Sequence, residues 1–236
     1  KVAQQMRQAD AYGLQKTDPK YSFKAVMQRI HGIIADIAPH DSVERYTDLG
    51  VDVVKGYAKI IDPWTVEIKR NDGNTQRLTT RSIIVATGGA PFVPPLPGLD
   101  AVGYVTSDTL WEEFAQLDDI PKRMIILGGG PIGCELSQAF ARLGAEVTQV
   151  EREGRLLGRE DEDVSALARA AQEGSGVIVR TGHEAVRCEL VDGEKRLIVS
   201  ADGKEQAIAF DALVVAVGRS ARLSGFGLEE LGIETG

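Results

Sequence analysis

An apolar strand that runs into a glycine turn and out again as an amphipathic helix leaves a chain few ways to fold. Residues 124–143 have that form. Met124-Ile125-Ile126-Leu127 leads into Gly128-Gly129-Gly130-Pro131-Ile132-Gly133, a G-x-G-x-x-G pattern. Beyond it Ile132, Leu136, Ala139, Phe140 and Leu143 recur at helical intervals, as in a helix laid on a sheet. Pro131 suits the first helical turn, where its missing N–H is no loss, and Gly144 suits the C-cap. A second strand, Glu146 to Val150, ends on Glu151, 23 positions after Gly128. Six glycine-pattern positions match easily by chance. Strand, glycines, helix, second strand and terminal acid together form the βαβ fingerprint of a dinucleotide site.

Each residue of the fingerprint has a physical task. Gly128 permits the tight turn, Gly130 lets the backbone approach a pyrophosphate, and Gly133 lets the helix close on the strand. The helix start offers unpaired N–H groups and a partial positive charge to the phosphates. Glu151 is placed to accept hydrogen bonds from ribose hydroxyls, and its charge repels a 2′-phosphate, which favours NAD over NADP. Arg152 and Arg155 pull the other way, because a guanidinium can pair with a phosphate.

A chain of 236 residues has room for one large or two modest domains. Its net charge of −8 and pI near 5.0, without a Lys/Arg cluster, argue against nucleic acid or an anionic membrane as a partner. Cys134 and Cys188 form no C-x-x-C or C-x-x-x-x-C pair, so neither a disulfide scaffold nor a zinc site is implied. A reducing, cytoplasmic setting is the default.

The end of the chain repeats its middle. Ala212 to Gly218 is an apolar strand closing in A-x-G, and Ser82 to Gly88 is another. Each follows an Asp-Gly turn, Asp202-Gly203 and Asp72-Gly73, with 15 positions from that glycine to the closing one. Stretches starting at Gly50-Val51-Asp52-Val53-Val54 and Gly176-Val177-Ile178-Val179-Arg180 open what reads in each half as a small antiparallel meander. In the second copy the glycine fingerprint lies 90 residues before the closing A-x-G, and the same distance back from Gly88 falls before residue 1. The expectation is a piece of a longer chain with two dinucleotide domains; a diverged first domain that never had a phosphate loop is the alternative. Two helices are expected early, Val2 to Leu14 and Ser22 to Ile37, the latter with Val26, Ile30, Ile33, Ile34 and Ile37 on its apolar face. The proline-rich run Gly88 to Gly98 reads as an extended, semi-rigid crossover. Ser107 or Asp108 is the expected N-cap of a helix from Thr109 to Leu117.

These motifs resemble the pyridine nucleotide–disulfide oxidoreductases, in the branch of dihydrolipoamide dehydrogenase and mercuric reductase. The matching segments are A-T-G at Ala86 to Gly88 with its proline-rich exit, G-G-G-P-I-G-C-E at Gly128 to Glu135, Arg159 to Ser165, and A-V-G-R at Ala216 to Arg219. The resemblance implies an α/β fold: an NAD(P)-binding Rossmann-like domain with a β-meander over residues 118–236, and an incomplete FAD-binding domain of the same architecture, with the crossover, over 1–117. It implies an enzyme that passes hydride from NAD(P)H to flavin and on to a redox disulfide and a thiol/disulfide or metal-ion acceptor. It places Gly128, Gly130, Pro131, Ile132 and Gly133 in the phosphate loop and Glu135 toward the nicotinamide carboxamide. Glu151 and Arg152 then stand beside the adenosine ribose, and Gly218 and Arg219 close the nicotinamide side. Tyr57 and Ala58 fall beside the FAD adenine, and Thr87 and Gly88 along its diphosphate–ribose region.

The family's flavin phosphate loop, C-x-x-x-x-C pair and dimerisation domain with its His-Glu pair have no counterpart in the sequence, so no catalytic residue and no metal ligand is nominated. The whole protein is expected to be a homodimer. Two other functions stay open: an FAD-dependent NADH oxidase or dehydrogenase without a redox disulfide, and a non-enzymatic nucleotide-binding module. Cys134, in the first helical turn, reads as a small residue packed under the helix, with a dipole-stabilised thiolate as the rarer reading. His31, His40 and His183 have no neighbouring ligand partner in sequence. The acid run Glu160 to Asp163 reads as the N-terminal region of a solvated helix.

Overall fold

The computed structural model describes residues 2–235; Lys1 and Gly236, the outer limits of the two expected domains, lie outside it. Helices α1 (Val2–Arg7), α2 (Phe23–Ile37) and α3 (Val43–Asp48) precede strands β1 (Gly56–Asp62), β2 (Thr65–Arg70) and β3 (Thr75–Thr79). Strand β4 (Gly89–Pro91) leads to α4 (Leu99–Val102), β5 (Val105–Thr106) and α5 (Leu110–Ala115). An alternating stretch follows: β6 (Arg123–Leu127), α6 (Pro131–Leu143), β7 (Glu146–Glu151), α7 (Glu162–Glu173) and β8 (Ile178–Thr181). Then come β9 (Glu184–Val191), β10 (Glu194–Ala201), β11 (Lys204–Phe210), β12 (Ala212–Val215) and β13 (Arg219–Ala221). The chain divides into two compact units, each discontinuous in sequence. One joins residues up to His31 with Pro91–Arg219; the other joins Gly32–Ala90 with residues from Ser220 onward.

The larger unit is built on a parallel sheet in the order β5-β12-β6-β7-β8. Successive side chains serve opposite faces. Met124, Ile126, Val147 and Val214 join Leu136 and Phe140 of α6, Phe114 of α5, and Phe23 and Met27 of α2 in one core. Ile125, Leu127, Val150, Leu213 and Val215 join Leu197, Val199 and Phe210 of the antiparallel meander β9–β11 in the other. Covering on both faces is why β6 and β12 read as unbroken apolar runs. Phe114 knits its layer together, with ring centroids 5.6 Å from Phe140 and 6.4 Å from Phe23.

Both ends of α6 are held. Its C-cap Gly144 is left-handed at φ 111°, and its last carbonyls have side-chain donors. Arg7 Nη1 donates to the Arg142 carbonyl at 2.7 Å, and the Tyr21 hydroxyl donates to that of Leu143. At the N-terminal edge of the sheet, Asp211 binds the Arg123 guanidinium at 2.7 Å and its backbone N–H at 2.8 Å, tying β12 to β6. Arg123 holds the Asp211 carboxyl below the usual carboxylate range.

In the smaller unit β1, β2 and β3 form an antiparallel sheet, and Ile60 N–H donates to the Phe226 carbonyl at 2.8 Å. Asp72-Gly73 joins β2 to β3, as Asp202-Gly203 joins β10 to β11 and Asp192-Gly193 joins β9 to β10. At Asp202 and Gly203 φ is 50° and 73°, the geometry of a two-residue hairpin turn.

Several expectations from sequence are corrected. Residues 51–55 precede the meander, which starts at Gly56. Ser82 to Gly88 forms no strand, and Ile84 is 91% exposed. Its counterpart β12 is hydrogen-bonded between β5 and β6, whereas residues 82–88 have no neighbouring strand among the described residues, and an apolar run becomes a strand only when its backbone groups are paired. Residues 178–181 extend the parallel sheet beside β7 instead of opening the meander. Helix α2 buries Phe23 and Met27, while Ile33, Ile34 and Ile37 stay exposed. Helix α5 starts at Leu110 after Thr109, whose hydroxyl accepts from Thr106 N–H, and neither Ser107 nor Asp108 caps it. The proline-rich crossover is also docked: Val93 and Leu96 pack on the meander core, and Cys188 N–H of β9 donates to the Pro97 carbonyl at 2.7 Å.

Candidate dinucleotide site

The site lies where the sheet's central strands end. Leu127 is level with Val150 on one side and Val215 on the other, so β6, β7 and β12 finish together. At Gly128 the chain takes φ 121°, and a Cβ there would stand 2.3 Å from the Ala216 carbonyl oxygen. A Cβ on Gly133 would stand 2.2 Å from the Gly128 oxygen. Both glycines are therefore demanded by close backbone approach within the chain.

Gly130 differs. Its φ of −75° suits any residue, and a Cβ would meet nothing within 4 Å. Nothing in the fold requires glycine at this position, and the open space beside it is what a phosphate group would need. Helix α6 closes its first bond from Cys134 N–H to the Gly130 carbonyl, at 3.0 Å. The amides of Ile132 and Gly133 precede that bond and have no intrahelical acceptor, and Pro131 has no N–H to waste. The residues present thus fit the diphosphate of a dinucleotide.

The loop is braced from β7 and from the segment after it. Glu151 accepts from Gly129 N–H with one carboxylate oxygen and from Glu153 N–H at 2.8 Å with the other. Leu157 N–H donates to the Gly129 carbonyl at 2.8 Å. Gln149, fully buried, donates from Nε2 to the Gly128 carbonyl at 3.0 Å, while its Oε1 has no protein partner. Gln172, also buried, donates to the Cys134 carbonyl at 2.8 Å. Sequence reasoning passed over Gln149. Its only signal was a carboxamide two positions before Glu151, in a strand too short to show that both faces are covered.

Other expected site residues fall as follows. Glu135 and Pro131 are exposed on the first turn of α6, and Ile132 is half-buried. Arg152 is exposed and paired with Glu153 at 3.1 Å, and Arg155 donates to the Gly158 carbonyl at 3.0 Å. Gly218 and Arg219 follow β12 on the same edge of the sheet as the loop. Gly218 accepts from Phe92 N–H at 2.9 Å, and Arg219 pairs with Asp108 at 2.8 Å, a partner the sequence did not suggest.

Tyr57, Ala58, Thr87 and Gly88 lie in the other unit. Tyr57 and Ala58 are exposed on β1, and Thr87 donates its hydroxyl to the Arg222 carbonyl at 2.6 Å. Residues 32–90 contain no second glycine loop opening a helix.

Cys134 is buried on the face of α6 turned to β7, and burial pushes its thiol pKa up; the same cause lifts that of Cys188 to about 11. His31 Nε2 lies 3.3 Å from the Trp111 carbonyl, and His183 Nδ1 lies 2.9 Å from that of Thr181. Among the described residues no three His, Cys, Asp or Glu side chains gather as metal ligands would. Nor is any helix among them long and apolar enough to cross a membrane.

Comparison with known proteins agrees with this architecture. A mercuric reductase of Streptomyces lividans is 38% identical over 232 residues, covering 95% of this chain and 46% of that protein. A dihydrolipoyl dehydrogenase of Thermus scotoductus is 32% identical over 241 residues, covering 97% and 48%. The HOCl-induced flavoprotein disulfide reductase RclA of Escherichia coli superposes with a TM-score of 0.74 at 25% identity, over 92% of this chain and 47% of its own. LpdA of Mycobacterium tuberculosis superposes with a TM-score of 0.81 at 24% identity, over 100% and 50%, which speaks to the fold alone. The chain spans about half the length of the curated relatives it matches. Residues 11–236 match the family described as pyridine nucleotide-disulphide oxidoreductase, and with the fold and loop in place, the chain belongs to that family.

Proposed function

We propose that this chain supplies the nicotinamide dinucleotide site of a flavin-dependent oxidoreductase, with NADH preferred to NADPH. The observation that carries it is Gly130: a glycine that no protein neighbour requires, at the start of a helix whose first amides have no intrahelical acceptor. A nicotinamide dinucleotide supplies hydride chemistry when bound; the chain binds and orients it. Gly128 and Gly133 shape the turn, the amides of Ile132 and Gly133 take the diphosphate, and Glu151 takes the adenosine ribose. Arg152 is engaged with Glu153, and the Glu151 carboxylate sets the field that opposes a 2′-phosphate.

On this reading residues 118–236 carry the nicotinamide half. Residues 1–117 carry what the chain contributes to a flavin half, through Tyr57, Ala58, Thr87 and Gly88. The whole protein is then a homodimer in a reducing, cytoplasmic compartment, passing electrons to a disulfide or a metal ion. The names of its mercuric reductase and dihydrolipoyl dehydrogenase relatives support those two acceptor classes. Calorimetric titration of the chain with NADH and NADPH tests the proposal. NADH should bind more tightly; tighter NADPH binding would overturn the role of Glu151, and no binding of either would overturn the function.

A further inference from the structure

Gln149 stands in the middle of a parallel strand, fully buried, where an amide is unfavourable unless its polar groups are paired. Its oxygen has no protein partner; its nitrogen holds the Gly128 carbonyl at 3.0 Å. The other end of that same peptide unit, Gly129 N–H, donates to Glu151. Residues 149 and 151 are two apart on β7 and share a face. One strand therefore grips one peptide at both its N–H and its C=O. Gly133 leaves the room for this, since a Cβ there would lie 3.2 Å from Gln149 Nε2.

We infer that Gln149 is a positioning residue of the dinucleotide site: together with Glu151 it locks the Gly128–Gly129 peptide plane. The inference rests on the dinucleotide reading above. The buried amide keeps the negative end of the Gly128 carbonyl turned inward, so that it does not oppose a diphosphate, and it sets the path of the chain into Gly130. An apolar side chain would remove the unpaired Oε1 but leave the Gly128 carbonyl without its donor, so its two effects on stability oppose each other. The unpaired oxygen of the glutamine costs stability while its N–H fixes the loop, so stability and binding need not change together.

Gln149→Met, close in volume, is the test, made in the full chain by thermal melting without ligand and by titration with NADH. The expected result is a little-changed Tm, the lost hydrogen bond offsetting the lost unpaired oxygen, with NADH affinity weakened about two- to twelve-fold, the scale of one hydrogen bond. Equal affinity in variant and wild type overturns the inference and leaves the dinucleotide reading standing. A loss of affinity with the Gly129 amide resonance of the ligand-free variant unchanged from wild type overturns it too, making Gln149 a packing residue. Absence of NADH binding in the wild type sinks the dinucleotide reading itself. A measurement on the wild type needs no variant: NMR resonances of the Gly129 amide and the Gln149 side-chain amide should shift together as NADH is added. A Gln149 amide that does not respond overturns the inference.

Discussion

Gly130 and Gly133 stand one helical turn apart and are glycines for different reasons, which mutation can separate. Alanine at 130 has a compatible backbone and open space, so Gly130→Ala should hold or raise stability by about 0.4–1 kcal/mol. The same methyl occupies the space a diphosphate needs, so NADH affinity should drop at least about tenfold. Gly133→Ala drives a Cβ to within 2.2 Å of the Gly128 oxygen and should cost about 1–3 kcal/mol of stability as well as binding. Melting curves and NADH titrations of the two variants check both; a Gly130→Ala protein that binds as the wild type does would remove the ligand's claim on that position. Thiol chemistry belongs to this scale as well. With Cys188 pushed up to about 11 and Cys134 also raised by burial, little thiolate exists at pH 8. A disulfide reagent should label neither in the native protein and both after denaturation, and fast native labelling of either would contradict the packing described.

Among the elements, β6 and β12 are tied at the sheet edge away from the loop by Arg123 and Asp211. Because the Asp211 pKa is lowered in the fold, its contribution is present above the unfolded value of about 3.9 and is lost as pH falls through the lower folded value. The pair is part-exposed, so Asp211→Asn should cost only on the order of 1 kcal/mol, a Tm decrease of about 2–4 °C at pH 7. The difference from wild type should shrink below pH 4; a constant difference down to pH 2 would remove the charge from the explanation.

How well each element could be read from sequence follows from what it pairs with. Strand β6, the glycine loop and α6 were legible because their signals are local: an apolar run, a turn and a helical period. Ser82 to Gly88 carries the same apolar run and is no strand, because pairing is supplied by neighbours that its own residues do not announce. Ile178 to Thr181 read as β structure but not as a parallel strand, since Val177 and Val179 alternate identically in either sheet. Phe23 and Met27 escaped notice because the helical period of α2 accommodates two apolar faces, and only tertiary packing chooses between them. The Arg219–Asp108 pair, 111 positions apart, has no local signal at all.

At the scale of the whole molecule, buried apolar side chains are unevenly shared. Both large cores belong to the larger unit, whereas Ile68 and Leu228 are the deeply buried apolar residues of the smaller one among those described. Opening free energies track such burial. Hydrogen exchange followed by mass spectrometry should therefore show amides of β1–β3 exchanging well before those of β6, β7 and β12. Equal protection of the two sets would mean that contacts beyond those described stabilise the smaller unit.

The order of strands in the parallel sheet also bears on synthesis. β12 sits between β5 and β6, yet it is made last, 85 residues after Leu127 at its first residue, Ala212. Until the ribosome has delivered it, β6 lacks one hydrogen-bonding neighbour and the glycine loop lacks the Ala216 carbonyl that closes on Gly128. At about 5–20 residues per second that interval is roughly 4–17 s, during which the nascent chain carries an open slot in its sheet.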